Sequence, residues 1–159
     1  MSDILSNKSQ TVQEALRVAG ADSAVRELNE STATAADAAQ ALGCKVEQIA
    51  KSLIFKTTTT RQPILVIASG GNQVNEKTLE RLLLQPVSKA TAEFVQEKTG
   101  FPIGGVPPVG HKERITTFID QDLSQYDEIW AAAGTPRSVF RTTAAEIARI
   151  TGGRVVSIK

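Results

Sequence analysis

Cysteine and histidine are almost missing from this 159-residue chain, which holds one of each, Cys44 and His111. A single thiol excludes an internal disulfide, and one imidazole without a cysteine pair leaves no zinc-type ligand set, so neither a metal nor a cofactor is expected. The same scarcity removes any recognisable Ser-His-Asp order and any obviously activated thiol. Long apolar runs are also missing: no segment approaches the ~18 apolar residues of a membrane span. Residues 1–8 carry neither the apolar run of a secretory signal nor the arginine-rich character of a transit peptide; they are expected to be loosely ordered, and a cytoplasmic location is expected. Charge of one sign is missing as well. Lys and Arg total 18 against 17 Asp and Glu, a formal charge of +1. Proteins that coat duplex nucleic acid usually carry a strong basic excess, so duplex DNA is not an expected partner, while local contact with a few phosphates stays open.

What is present describes a water-soluble domain. Apolar content of 41% and charged content of 22% are ordinary for a globular protein, and a chain this long buries roughly 70% of its unfolded surface, enough for a single domain over 1–159 with a real core. Val12, Ala15, Leu16 and Ala19 recur at helical spacing behind a Ser9 cap. A short strand is read over residues 25–28, and Thr34 caps a helix through Leu42 that stops at Gly43. Residues 52–56 and 63–68 read as paired strands, the second nearly all apolar and therefore central. Helices follow from Asn75 or Glu76 to Leu84 and from Thr91 to Thr99; strands follow over 115–119 and 128–133. Thr143 caps a last helix to Thr151, before a closing strand over 153–158. The irregular alternation predicts an α+β domain on a mixed, curved, barrel-like sheet flanked by helices.

Two places invite chemistry. Residues 101–111 gather three of the 11 glycines (Gly104, Gly105, Gly110), three of the 6 prolines (Pro102, Pro107, Pro108) and the sole histidine. Glycine permits positive φ and close approach, proline fixes φ and removes a donor, and together they build either a rigid ligand wall or an ordinary connecting loop. Lys51 precedes the apolar strand that starts at Ser52, where its ammonium could hold a phosphate or polarise a carbonyl, or could be a solvated strand-end lysine. Cys44, after Gly43, reads as a small buried filler.

Taken in order, Lys51-Ser52-Leu53-Ile54-Phe55, residues 104–111 and Ala133-Gly134 resemble the YbaK/EbsC-type proteins, free-standing relatives of the editing domain inserted in bacterial prolyl-tRNA synthetases. The stretch 30–39 resembles them too, and the likeness runs from about Val12 to the C-terminus. The resemblance implies hydrolysis of the ester joining a wrong amino acid to the 3′ end of a transfer RNA, with the aminoacyl-tRNA acceptor end as substrate and prolyl-tRNA synthetase as a candidate partner. It assigns to Lys51 the terminal adenosine or its phosphate, and to the G-x-x-x-P turn, Gly104 to Pro108 with Gly105 between, the positioning of the acyl group for water.

Around that centre Ser52, Val106, Pro107, His111 and Gly134 are expected to touch substrate. The loop Gly134-Thr135-Pro136-Arg137-Ser138 departs from the family pattern, which leaves substrate choice open: Thr135 and Ser138 line the amino-acid pocket and Arg137 meets acceptor-stem phosphate, or all three merely build a turn. Lys112 joins Arg137 as a tRNA contact. His111 is either a phosphate contact or a structural rim residue. The competing reading is a non-catalytic module that binds a nucleotide, a nucleic-acid end or a partner protein through the same pocket; a small-ester or peptide hydrolase would need a nucleophile the sequence does not offer.

Overall fold

Polar caps set where the helices begin. The computed structural model describes residues 5–159, and each of the five helices described starts behind a side chain that accepts its orphan amides: Ser6 for α1 (Asn7–Val18), Thr34 for α2 (Ala35–Leu42), Asn75 for α3 (Glu76–Leu83), Thr91 for α4 (Ala92–Thr99) and Thr143 for α5 (Ala144–Thr151). Gly43, Gly100 and Gly152 close α2, α4 and α5 in the left-handed conformation. Leu84 does the same for α3 at φ +60°, a strained choice for a residue with a Cβ. The expected start of α1 behind a Ser9 cap is corrected. Ser6, not Ser9, is the cap of α1, so Asn7 and Lys8 are helical and Ser9 is buried; residues 1–4 lie outside the described residues.

Among the described residues eight strands share one sheet: β1 (Arg26–Glu27), β2 (Ile49–Thr57), β3 (Pro63–Ser69), β4 (Val87–Lys89), β5 (Thr116–Asp120), β6 (Ile129–Ala132), β7 (Ser138–Thr142) and β8 (Arg154–Val156). Their order is β1-β7-β6-β2-β3-β5-β8, with β4 added to β2. β2 runs antiparallel to β3 and β4 but parallel to β6, and β3–β5 and β5–β8 are parallel, so the sheet is mixed as expected. It is open rather than closed into a barrel, with β1 and β8 at the two ends of that order and β4 a further edge strand.

β3 is buried along its whole length because both faces are covered. Ile64, Val66 and Ala68 pack with Leu79 of α3 and Phe118 of β5, while Leu65 and Ile67 turn to the other face and meet Val12 and Leu16 of α1, Val95 of α4 and Ile147 of α5. A third cluster seats Ala38 and Ala39 of α2 on Ile49, Trp130 and Val139. The period-2 alternation of strand side chains thus assigns α2 and α3 to one face and α1, α4 and α5 to the other. None of the described helices is long and apolar enough to cross a membrane.

β2 is paired unevenly along its two sides. Its edge away from β3 pairs with β6 at Ile49 and Ala50 and with β4 at Phe55, Lys56 and Thr57. Between them, Lys51 to Ile54 have no strand partner on that side among the described residues. Because β2 already starts at Ile49, Lys51 lies two residues inside the strand and not at its mouth.

Candidate functional site

The unpaired stretch of β2 is bordered by two hollows. A smaller one, about 120 Å³, is walled by Thr32, Ala33 and Thr34 before α2, by Lys51 and Ser52, by Trp130 to Ala132 of β6, and by Ile103, Gly104 and Val106. A larger one, about 550 Å³, takes Lys51, Ser52, Ile103 and Val106 as a shared wall and adds Gln73, Glu76 and Lys89. Lys51 therefore stands between a small, mostly apolar recess and a roomier one with a larger polar share. It is half-buried and forms no ion pair with any described residue, so its ammonium is free to meet a ligand.

The facing bank is the glycine-proline loop, held at both ends. Thr99 donates its hydroxyl to Val95 O and accepts the Phe101 amide, fixing the entry. At the exit the Lys112 amide reaches Thr99 O, and His111 Nε2 lies 2.6 Å from Pro107 O. A carbonyl only accepts, so Nε2 carries the proton. Burial pushes the imidazole below its ordinary pKa, against the opposing pull of that carbonyl. Between these anchors the Gly105 amide closes a turn onto Pro102 O, and Gly104 adopts φ +88°. A Cβ on Gly104 would sit 3.1 Å from that of Ala33, so glycine keeps the loop close to the opposite wall.

The turn between β6 and β7 stands behind the recess and grips both walls. Gly134 N–H donates to Gly105 O at 2.9 Å, and Pro136 O accepts from the amide and the hydroxyl of Thr32 at 2.6 and 3.1 Å. The turn is itself tied down by hydroxyls: Ser138 bonds Thr135 and, at 2.6 Å, Ser9 of α1. A Cβ on Gly134 would lie 2.9 Å from Lys8 O, so only glycine lets α1 pack this closely.

Of the residues singled out from the sequence, the fold brings Lys51, Ser52, Gly104 and Val106 together around the recess. Gly105, Gly134, Thr135 and Ser138 form the layer behind it. Pro108, His111 and Lys112 open onto a separate hollow beside α1 and α5, with Arg114 and Arg149, and Pro107 is buried between the two regions. His111 acts there as a clasp of the loop and stacks edge-on with Phe101, with ring centroids 6.3 Å apart. Arg137 is exposed on its turn.

Sequence reasoning gave no role to Ile103, which is 59% exposed at the junction of the two hollows, nor to Trp130, Glu76 and Lys89. The stretch 30–39 carried a signal, through its family likeness, but not the reason for it: residues 32–34 are the wall opposite the loop.

A model of the family "Aminoacyl-tRNA editing domain" matches residues 29–150, which includes both banks of the recess and the turn behind them. A crystal structure described as a proposed trans-editing enzyme for prolyl tRNA synthetase superimposes with a TM-score of 0.92 at 44% identity, covering 98% of this chain and 99% of that one. The uncharacterized protein YwhH of Bacillus subtilis (strain 168) is 29% identical over 131 residues, 82% of this chain and 83% of its own length. EbsC of Enterococcus faecalis (strain ATCC 700802 / V583), named as a proposed Cys-tRNA(Pro)/Cys-tRNA(Cys) deacylase, is 24% identical over 132 residues, 77% of this chain and 80% of that protein.

Proposed function

This chain belongs to the aminoacyl-tRNA editing domain family, and from that premise we propose that it is a trans-acting deacylase hydrolysing the ester of mischarged tRNA, in the proline or a related small-amino-acid system, in the cytoplasm. The observation that carries the reading is the meeting of Lys51 with the Gly104–Val106 loop across an unpaired strand edge, between a small recess and a larger one. The small recess suits a short side chain. The larger one suits the terminal nucleoside, and Lys51 between them stands where the ester and its neighbouring phosphate would lie.

In the reaction, a water oxygen attacks the acyl carbon and the bond from that carbon to the ribose 3′-oxygen breaks. The ribose oxygen takes a proton, the amino acid leaves as a carboxylate, and one proton is released to solvent. An aminoacyl ester is already reactive, so a site that fixes geometry and offers donors to the developing oxyanion can suffice without a protein nucleophile; one such donor is worth roughly 3–4 kcal/mol. Lys51 supplies the positive charge, Gly104, Val106 and Ser52 contact the substrate, and Gly105, Gly134, Thr135 and Ser138 hold those contacts in place. Pro107, Pro108 and His111 brace the loop. Arg137 and Lys112, both exposed, are the candidates for phosphate contact along the acceptor stem, and a prolyl-tRNA synthetase is the candidate partner that would deliver the substrate.

The test is a deacylation time course on tRNAs charged with Ala, Cys, Ser, Thr and Pro, with wild type beside Lys51→Ala. Selective, Lys51-dependent loss of one ester is the expected result. No acceleration of any ester would overturn the reading in favour of a module that binds an RNA end without cleaving it.

A further inference from the structure

Ser52 is the place where the fold leaves hydrogen-bonding capacity unused. Its Oγ is buried without a hydrogen-bond partner, the one side-chain polar atom in that condition among the described residues. Buried polar groups are nearly always satisfied, so an exception asks for an explanation. The backbone beside it is in the same position. The Thr57 amide bonds Gln62 O across the β2–β3 turn, and the next amide, Thr58, points the other way to Pro86 O. Strand groups alternate in direction, which turns the amides of Phe55, Leu53 and Lys51 toward β3 and those of Ile54 and Ser52 toward the open edge. There β6 has ended at Ala50 and β4 begins only at Phe55. The Ser52 N–H, C=O and Oγ thus share one short break in the sheet, bordered by both hollows and faced by Ile103 and Val106.

We propose that Ser52 binds the aminoacyl group itself, which fills this break as a one-residue strand. An α-aminoacyl ester carries the same N–Cα–C=O unit as a residue of a β-strand, and two strand residues in a hydrogen-bonded pair exchange both of their N–H···O bonds. The Ser52 carbonyl accepts from the substrate ammonium, the Ser52 amide donates to the acyl oxygen, and the hydroxyl donates a further bond to that oxygen. The ligand class follows: esters and amides of α-amino acids with a free ammonium bind, whereas N-acylated ones, having lost charge and donors, do not. This inference rests on the deacylase reading.

Three proteins test it: wild type, Ser52→Ala and Ser52→Thr. Each is measured for melting temperature, for hydrolysis of a cognate aminoacyl-tRNA, and for binding of an amide-linked 3′-aminoacylamino-adenosine and its N-acetyl form. Removing a hydroxyl that has no partner relieves a cost of folding, so Ser52→Ala should melt at or above the wild-type temperature. It should nevertheless lose about tenfold in kcat/KM and in affinity for the free-amino analogue, the contribution of one hydrogen bond, and Ser52→Thr should recover most of it. Wild type should discriminate against the N-acetyl analogue. A lower melting temperature in Ser52→Ala would show that the hydroxyl has a structural partner and overturn the proposal, as would equal binding of the two analogues or unchanged hydrolysis by Ser52→Ala. Wild type that neither hydrolyses the ester nor binds either analogue would instead defeat the deacylase reading and this proposal with it.

Discussion

Replacing Gly105 with alanine should separate the geometry of the loop from its mere presence. A Cβ at that position would lie 2.9 Å from the Cα and carbonyl carbon of Thr135 and 3.0 Å from its nitrogen. All three are backbone atoms and cannot rotate away, so one of the two segments must move by about half an ångström before ordinary contact distances return. That movement strains the 2.9 Å bond from Gly134 N–H to Gly105 O, which joins the loop to the turn behind it. Overpacking of this kind costs about 1–3 kcal/mol, and a weakened hydrogen bond adds up to about 1 kcal/mol. The effect on activity should be larger, since a shift of about 1 Å in a positioning element can cost around 10²-fold. Urea denaturation reads the first quantity and single-turnover deacylation the second. Gly43→Ala is the control: its Cβ would meet nothing within 4 Å, but its φ of +68° makes alanine strained, so about 1 kcal/mol should be lost with activity unchanged. If Gly105→Ala matched that control in turnover, the loop's registration against Thr135 would be irrelevant to the site.

Lys51→Ala should lower kcat/KM by about 10²-fold while shifting stability by less than about 0.5 kcal/mol, because a half-buried lysine without an ion pair supports little of the fold; parallel kinetics and melting curves decide it. His111 sits below its ordinary pKa through burial, so the unfolded chain takes up its proton first, below about pH 6.5, and the folded chain only at lower pH. Its contribution is therefore whole above that value and declines as pH falls toward the folded value. His111→Gln should flatten this part of the slope when urea midpoints are compared between about pH 7.5 and about pH 5, and an unaltered slope would count against it. Leu84→Gly should raise stability by about 0.5–1 kcal/mol, because the leucine is 89% exposed and sits in the left-handed region at the end of α3; a drop in thermal midpoint would contradict that account.

Local chemistry was legible wherever a short stretch of sequence decides the outcome. Thr34 and Gly43, Asn75 and Thr143 bracket their helices as expected, since capping involves residues only a few positions apart. The apolar run 63–68 announced the buried β3 and its pairing with β2. The cap of α1 was misplaced because Ser6 and Ser9 are both capable and only packing chooses between them. β4 hid behind Pro86, which reads as the end of a helix, and β7 behind a turn rich in polar residues.

The site was half legible for the same reason. Gly104 and Lys51 stand out in sequence, but the break in the edge of β2 arises from where β4 and β6 happen to pair, and no local pattern records it. His111 attracted attention by its rarity. Its ring is occupied by a backbone carbonyl four residues earlier, a contact made only once the loop has folded back on itself.

The turn from Gly134 to Ser138 contributes no side chain to the lining of the recess, yet through Gly105 O and Thr32 it sets the distance between the two walls. Width and lining are thus encoded in different parts of the chain. Two relatives with the same lining residues could admit side chains of different size if this turn differed, and drift in five residues outside the lining of the recess would suffice to exchange one substrate for another.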